Sequence, residues 1–457
     1  MRNGEVSFWL QSLGEPRSRR PALTRDRTAD VCIIGAGYTG LWTAYYLKRA
    51  DPSLDVVVLE REFAGFGASG RNGGWLSGLF PGSRELLARA HGREAVVGMQ
   101  RELNATVDEV IAVAKAEGID AQIVKGGTLR IAITPAQEAR LRDAVAADAA
   151  FGVAEVKLLT AKELKRRIDV PSASLGAFTP HCGRIQPALL VRGLARAVER
   201  LGATIYEESA VTAIRPGEAS TPSGSVRARV VLRATEGFTA DLAGERRTWL
   251  PMNSSMIVTE PLSAEAWSGI GWEGCETLGD SAHVYMYAQR TADGRIAIGG
   301  RGVPYRFGSA TDDRGRTQAS TIETLRRTLY HLLPQTRGCR IEHAWCGVLA
   351  VPRDWCAGVG FDAATGLGWA GGYVGHGVGS ANLAGRTLAD LVLLRDTGLT
   401  RLPWVGHRSR GWEPEPLRWL GVRGLYRAYG WADRLEARGG KRTSWLASLA
   451  DRITGKP

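Results

Sequence analysis

Apolar residues follow two rhythms in the first sixty positions. VCII at 31–34 and VVVL at 56–59 are short, uninterrupted and mostly β-branched, a pattern that predicts strands buried on both faces. Between them LWTAYYLKRA, 41–50, has a helical pattern, so the segment reads strand, helix, strand. Residues 182–214 predict another helix, with Leu189, Leu190, Leu194 and Val198 near helical spacing, and then a strand. VVLR (230–233) predicts a further strand, and 366–393 a strand, a glycine loop and a helix starting near Ser380. Tyr285 and Tyr287 alternate on a strand and so face one side. After Pro416 the chain predicts one helix, weakened by Gly421, Gly424 and Gly430. Arg423, Arg427, Arg434 and Arg438 share one sector of it, and Trp419, Val422, Tyr426 and Tyr429 an adjoining one.

What lies between the first strand and helix adds chemistry to this pattern. Gly35-Ala36-Gly37-Tyr38-Thr39-Gly40 is a G-x-G-x-x-G turn, and the second strand ends in Glu60. The first glycine permits the tight turn, the second lets backbone approach a pyrophosphate, and the third lets helix pack on strand. The helix N-terminus attracts phosphate charge, and the acid is placed to hold ribose hydroxyls. Dinucleotide binding is therefore expected. Soon afterwards GFGASGRNGGWL (65–76) packs five glycines into twelve positions around Ser69, Arg71 and Asn72. A flexible linker is one reading; a loop whose backbone lies against a flat, charged ligand is the other, and the ordered Arg-Asn-Gly-Gly-Trp favours it.

Composition narrows the class. With 44% apolar and 23% charged residues, the 457-residue chain is that of a globular protein large enough for two or three domains. The segment 363–385 is apolar but studded with glycine and carries His376 and Asn382, so it is not read as membrane-spanning. The N-terminus lacks a secretion signal, and the six cysteines show no CxxC pair or metal-ligand spacing; reduced thiols, no metal site and a cytoplasmic location are expected. The net charge of +12 is concentrated at the ends, with twelve Lys/Arg against five Asp/Glu in 401–457. No nucleic-acid-binding module accompanies it, so nucleic acid is not the expected partner.

ADVCIIGAGYTGLWTAYYL, VVVLER and GASGRNGG together resemble the N-terminal signature of the FAD-dependent amine and amino-acid oxidoreductases of the D-amino-acid oxidase superfamily. The resemblance implies an α/β Rossmann-like FAD-binding domain, discontinuous over 1–80, 175–245 and 340–400. An α+β substrate-binding domain with an antiparallel sheet would be formed by 81–174 and 246–339, and 401–457 would be a basic helical C-terminal tail. It implies that Glu60 and Arg61 border the adenosine, with Val211 near adenine. Gly67, Ala68, Ser69, Arg71, Asn72, Gly73, Gly74, Trp75 and Leu76 would run along the pyrophosphate and ribityl chain to the flavin ring. Ala234, Thr235 and Gly237 would form a second flavin-side turn. Gly347, Gly372, Tyr373, Gly375, His376, Gly377 and Val378 would complete the ring site, with a helix N-terminus aimed at the pyrimidine ring.

Within the superfamily, the glycine and D-amino-acid oxidases place a substrate-binding Arg two residues after W-x-G. Here Trp345-Cys346-Gly347 puts Leu349 at that position, so simple α-amino acids are not the expected substrates. The GYVGHGV stretch at 372–378, SFWLQSLG near the N-terminus and 285–302 look like the gamma-glutamylputrescine oxidoreductases and their relatives. That implies oxidation of a primary or secondary amine on a longer molecule, through hydride transfer to the flavin, with O2 as acceptor. A dehydrogenase passing electrons to a quinone or protein, and a non-catalytic flavin-binding partner, are the alternatives. Candidate pocket residues are His376, Tyr285 and Tyr287, the tyrosines as an aromatic amine cage, and Arg301 for a distal carboxylate. Cys346 falls one residue before the position of a covalent flavin attachment in sarcosine oxidases, so FAD is expected to be non-covalent. The tail's arginine sector suits an anionic membrane or an acidic partner; covering its own domain is the favoured reading.

Overall fold

The computed structural model describes residues 1–14, 19–300, 304–311, 314–440 and 442–454, with the side chains of 452–454 left aside. Arg301, one of the candidate pocket residues, lies outside the described residues. The two early apolar runs form adjacent parallel strands, Arg27–Ile34 and Val56–Leu59, in register Val31 to Val56. Gly224–Arg233 and Leu367–Gly371 extend the parallel sheet on one side, and Thr204–Tyr206 on the other. Alternation along one strand feeds two cores. Val31 and Ile33 pack under the helices Tyr38–Ala50, Pro187–Arg200 and Gly377–Val392, while Cys32 and Ile34 pack with Leu23, Val57 and Val226 on the opposite face. Each such fully buried aliphatic side chain contributes about 1.5–3 kcal/mol relative to exposure.

A second sheet has nine strands, ordered Arg2–Asn3, Ile341–Val351, Leu250–Thr259, Ile296–Gly300, Tyr287–Arg290, Thr277–Asp280, Thr128–Ala132, Leu175–Thr179 and Lys157–Thr160. It is mainly antiparallel, as expected, but two of its pairings are parallel, Arg2–Asn3 with 343–344 and Thr277–Asp280 with 128–131. Ile341–Val351 differs from the sequence division, which puts 340–400 with the dinucleotide-binding unit. Ten register pairs join it to Leu250–Thr259, so this strand belongs to the larger sheet. Tyr285 also differs: the strand starts at Tyr287, and Tyr285 sits in the loop before it.

The tail forms the expected helix, Leu417–Ala437, uninterrupted despite its three glycines, and a second helix, Trp445–Thr454, that the sequence reading does not anticipate. Trp419, Val422 and Tyr426 pack on Leu250, Met252, Val351, Val374 and Trp412, while Arg423, Arg427, Arg434 and Arg438 face solvent. Its apolar sector is thus used within the molecule. Among the described residues no helix is long and apolar enough to cross a membrane.

Candidate functional site

The G-x-G-x-x-G turn is fixed by contact distances. Gly35 has φ +106°, and a Cβ there would stand 2.6 Å from Ala234 O; one on Gly40 would stand 2.0 Å from Gly35 O. The helix Tyr38–Ala50 starts at Gly37 with no side-chain cap. Tyr38 N donates to Ser69 Oγ (2.8 Å), which brings the second glycine-rich loop onto this helix start. Glu60 accepts from Ala36 N (2.9 Å) and Glu62 N (3.0 Å), and burial raises its carboxyl pKa. Arg61 pairs with Asp241 (2.7 Å) and covers the Phe238 ring at 4.6 Å. Ser209 N donates to Glu60 O (2.8 Å), holding the segment before Val211 beside this acid. Ala234 N donates to Ile34 O (2.9 Å), Thr235 Oγ1 meets Thr239 Oγ1 (2.8 Å), and a Cβ on Gly237 would meet Val348 at 2.7 Å.

Loop 65–76 is not a linker. Trp9 Nε1 donates to Asn72 O (2.8 Å), Trp345 Nε1 to Arg71 O (2.9 Å), and Gln289 Nε2 to Gly73 O (2.8 Å). Asn72 Oδ1 accepts from Gly74 N (2.7 Å), and Arg71, buried over the Phe66 ring, donates to Phe66 O (2.6 Å) and Cys346 O (3.2 Å). Its glycines serve the protein's own packing as well as a ligand. A Cβ on Gly73 would stand 2.7 Å from the Tyr287 ring, and one on Gly74, at φ +71°, 1.8 Å from Gln289 Nε2.

A cavity of about 310 Å³ opens where this loop meets the second sheet. One side is built from Tyr38, Thr39, Ala68, Ser69, Arg71, Asn72 and Gly73, with Gly347, Tyr373, Gly375, His376, Gly377 and Val378 completing it. The opposite wall holds Trp75, Ser254, Asp280, Tyr285, Met286, Tyr287 and Leu349. The other expected cofactor residues, Gly35, Ala36, Gly37, Gly40, Glu60, Arg61, Gly67, Gly74, Leu76, Val211, Ala234, Thr235, Gly237 and Gly372, lie outside this lining. The helix expected near Ser380 begins at Gly377, with His376 as its N-cap and no side-chain cap, so its first turn opens on the cavity. The small residues make this possible, since a Cβ on Gly379 would stand 2.4 Å from Ser77 O. Gly375, at φ +104°, has nothing within 4 Å of a would-be Cβ, leaving the approach open.

Two carboxyls in the wall were missed in the sequence. Glu236 stands inside the 234–237 turn and accepts from Gly372 N (2.9 Å) and Tyr373 N (3.4 Å); burial pushes it up to about 7. Asp280 ends a strand of the second sheet and accepts from Met286 N (3.0 Å). Burial, with the like charge of Asp433 adding, pushes it up to about 7. The only local signal was the acid within ATEG; nothing around Asp280 in sequence marks it. Tyr287 shares a hydrogen bond with Ser254 (2.9 Å) and meets Trp75 edge-on at 6.4 Å. Of the guanidinium groups in the lining, Arg71 is bonded as above and Arg130 pairs with Asp148 (2.8 Å).

The cavity together with the adjoining G-x-G-x-x-G turn fits a flavin dinucleotide: two helix N-termini without side-chain caps stand beside glycine-rich loops, and Gly375 leaves the approach open. Residues 30–391 match the family model described as FAD dependent oxidoreductase. Gamma-glutamylputrescine oxidoreductase of Escherichia coli is 32% identical over 380 residues, covering 81% of this chain and 85% of that protein. A probable oxidoreductase, OrdL, of Rhizobium meliloti is 30% identical over 406 residues, covering 86% and 90%. Among solved structures, glycine oxidase from Geobacillus kaustophilus superposes with a TM-score of 0.67 at 22% identity, covering 84% of this chain and 100% of that one. The chain belongs to the FAD-dependent oxidoreductase family, and FAD is its cofactor.

Proposed function

We propose that this FAD-dependent oxidoreductase oxidises the C–N bond of a primary or secondary amine carried on a longer molecule, as gamma-glutamylputrescine or an N-substituted amine would be. The observation that carries this reading is the wall facing the start of Gly377–Val392: Asp280 lines it with Trp75, Tyr285 and Tyr287, Leu349 stands in place of an arginine, and the nearby Arg130 is paired with Asp148. A carboxylate within an aromatic cage suits an ammonium group, and an α-carboxylate finds no uncommitted guanidinium among the described lining residues.

Each group then has a task. Residues 35–40, Glu60, Arg61 and the 234–237 turn hold the adenosine and pyrophosphate end, and the loop 67–76 carries the ribityl chain. Asp280 receives the ammonium and takes its proton, freeing the nitrogen lone pair; a carboxyl with pKa about 7 is suited to both. Tyr285 and Tyr287 orient the α-carbon, and His376 closes the ring site beside the helix start. When bound, FAD would supply the two-electron oxidation, with the α-carbon hydride as the electron pair removed and molecular oxygen, reduced to hydrogen peroxide, as the final acceptor. Water hydrolyses the substrate imine to an aldehyde and a smaller amine or ammonia. Gly347 lines the cavity and Cys346 does not, in keeping with non-covalent FAD. Trp419, Val422 and Tyr426 of the tail are occupied within the molecule, while Leu417, Leu420, Trp431 and Leu435 of the same helix are exposed; oxygen as acceptor and a cytoplasmic setting remain part of the proposal.

Anaerobic mixing with amines, followed by the visible absorbance of oxidised flavin, tests the reading. Bleaching by gamma-glutamylputrescine or N-alkylated amines but not by glycine or D-alanine is expected. Bleaching by glycine or D-alanine alone would overturn it.

A further inference from the structure

We infer that the cavity beneath the tail helix Leu417–Ala437 is a second substrate chamber, which takes the apolar or aryl far end of the amine. This rests on the amine-oxidising reading above and narrows its substrate class. The cavity has a volume of about 310 Å³ and adjoins the flavin-side cavity across Tyr285 and His376, which line both. Its walls are apolar: Leu250, Met252, Val374 and Trp412 from the body, Val422 and Tyr426 from the tail helix.

The charged groups that reach it are already engaged by protein partners, while Trp355 Nε1 and Arg418 Nε are buried there without a hydrogen bond. His283 Nε2 lies 3.0 Å from Glu436 Oε1, Arg353 Nε donates to Glu413 (3.1 Å), and Arg418 pairs with Glu415 (3.3 Å) and donates to Arg246 O (3.1 Å). A ligand end bearing its own charge would lose hydration there and meet no uncompensated opposite charge. An alkyl or aryl end would gain by leaving water.

The roof is fastened to the site it covers. Asp433 of the tail helix accepts from His283 N (2.9 Å) and Val284 N (3.0 Å), and Glu436 pairs with Arg140 (2.8 Å). These bonds hold the loop that presents Tyr285 to both cavities. The tail is thus a wall of the substrate path. Gly421 lines the chamber at its exposed rim, and a Cβ there has nothing within 4 Å, so a larger side chain can be added at this wall without displacing backbone.

The test uses the FAD-loaded protein and a series of benzylamine, 2-phenylethylamine and 4-phenylbutylamine beside putrescine and gamma-glutamylputrescine. Flavin-reduction efficiency is expected to rise about threefold to fourfold per added methylene in the aryl series until the chamber fills, with no comparable gain for putrescine. Gly421→Leu is expected to cost 4-phenylbutylamine about tenfold more than benzylamine. Calorimetric binding of 4-phenylbutanol, which carries no amine, is expected in the native protein and weakened about tenfold in Gly421→Leu. Equal or better reduction by gamma-glutamylputrescine than by 4-phenylbutylamine, or no binding of the alcohol to the native protein, would overturn the chamber while leaving amine oxidation standing. Binding of the alcohol with no amine reducing the flavin would instead overturn amine oxidation.

Discussion

The cofactor side of the cavity and its substrate wall are built by opposite means. The cofactor side comes from short contiguous stretches, 35–40, 67–76 and 372–378, whose spacing alone forces the backbone into place. The wall is collected from Ser254, Asp280, Tyr285, Tyr287 and Leu349, drawn from separate segments, with Trp75 added from the end of the glycine loop. Geometry on the first side is a matter of absent side chains, while chemistry on the second depends on side chains present and on the elements that aim them. Damage to the first should therefore abolish cofactor retention, and damage to the second should change which amine reacts.

The largest effect is expected at Gly40. Its would-be Cβ falls 2.0 Å from Gly35 O, so Gly40→Val should yield protein without FAD, seen as loss of visible absorbance. If this variant retains flavin and differs only in substrate preference, the division is wrong. Asp280→Asn comes next: FAD retained, and amine kcat/KM down by about a hundredfold, the lower range for losing a positioned proton acceptor. Gly73→Ala stands at the seam between the two regions. Its Cβ would press on the Tyr287 ring at 2.7 Å, and we expect about a tenfold rise in KM with smaller loss of FAD affinity. The smallest effect concerns Glu236 in FAD-free protein. Its folded-state pKa, about 7, lies above the ordinary carboxyl value, so its contribution is fully present below about pH 4.5 and lost as pH rises through about 7. Thermal unfolding should show Glu236→Gln gaining on the native sequence between pH 5 and 8, by roughly 1–3 kcal/mol.

Much of the parallel sheet could be read in advance because its strands are continuous apolar runs with clear ends, Gly35 after 31–34 and Glu60 after 56–59. The helix at Gly377 was placed three residues late because Gly377 and Gly379 look like loop; they are helical because Tyr373 and Ser77 leave no room for side chains there. Ile341–Val351 was grouped with the dinucleotide-binding segments, and its place in the larger sheet was not legible, since its pairing with Leu250–Thr259 is set by partners far away in sequence. Asp280 was illegible for the same reason: the burial that raises its pKa comes from packed neighbours, and the like charge of the tail residue Asp433 adds to it.

The most direct test of the account is the pH dependence of anaerobic flavin reduction by one N-alkylated amine, in the native sequence and in Asp280→Asn. The account predicts that native efficiency falls as pH drops through about 7, where the Asp280 carboxyl becomes protonated, and that the variant lacks this limb. Superimposable profiles, with equal efficiency above pH 8, would contradict it and leave the substrate wall without its proton acceptor.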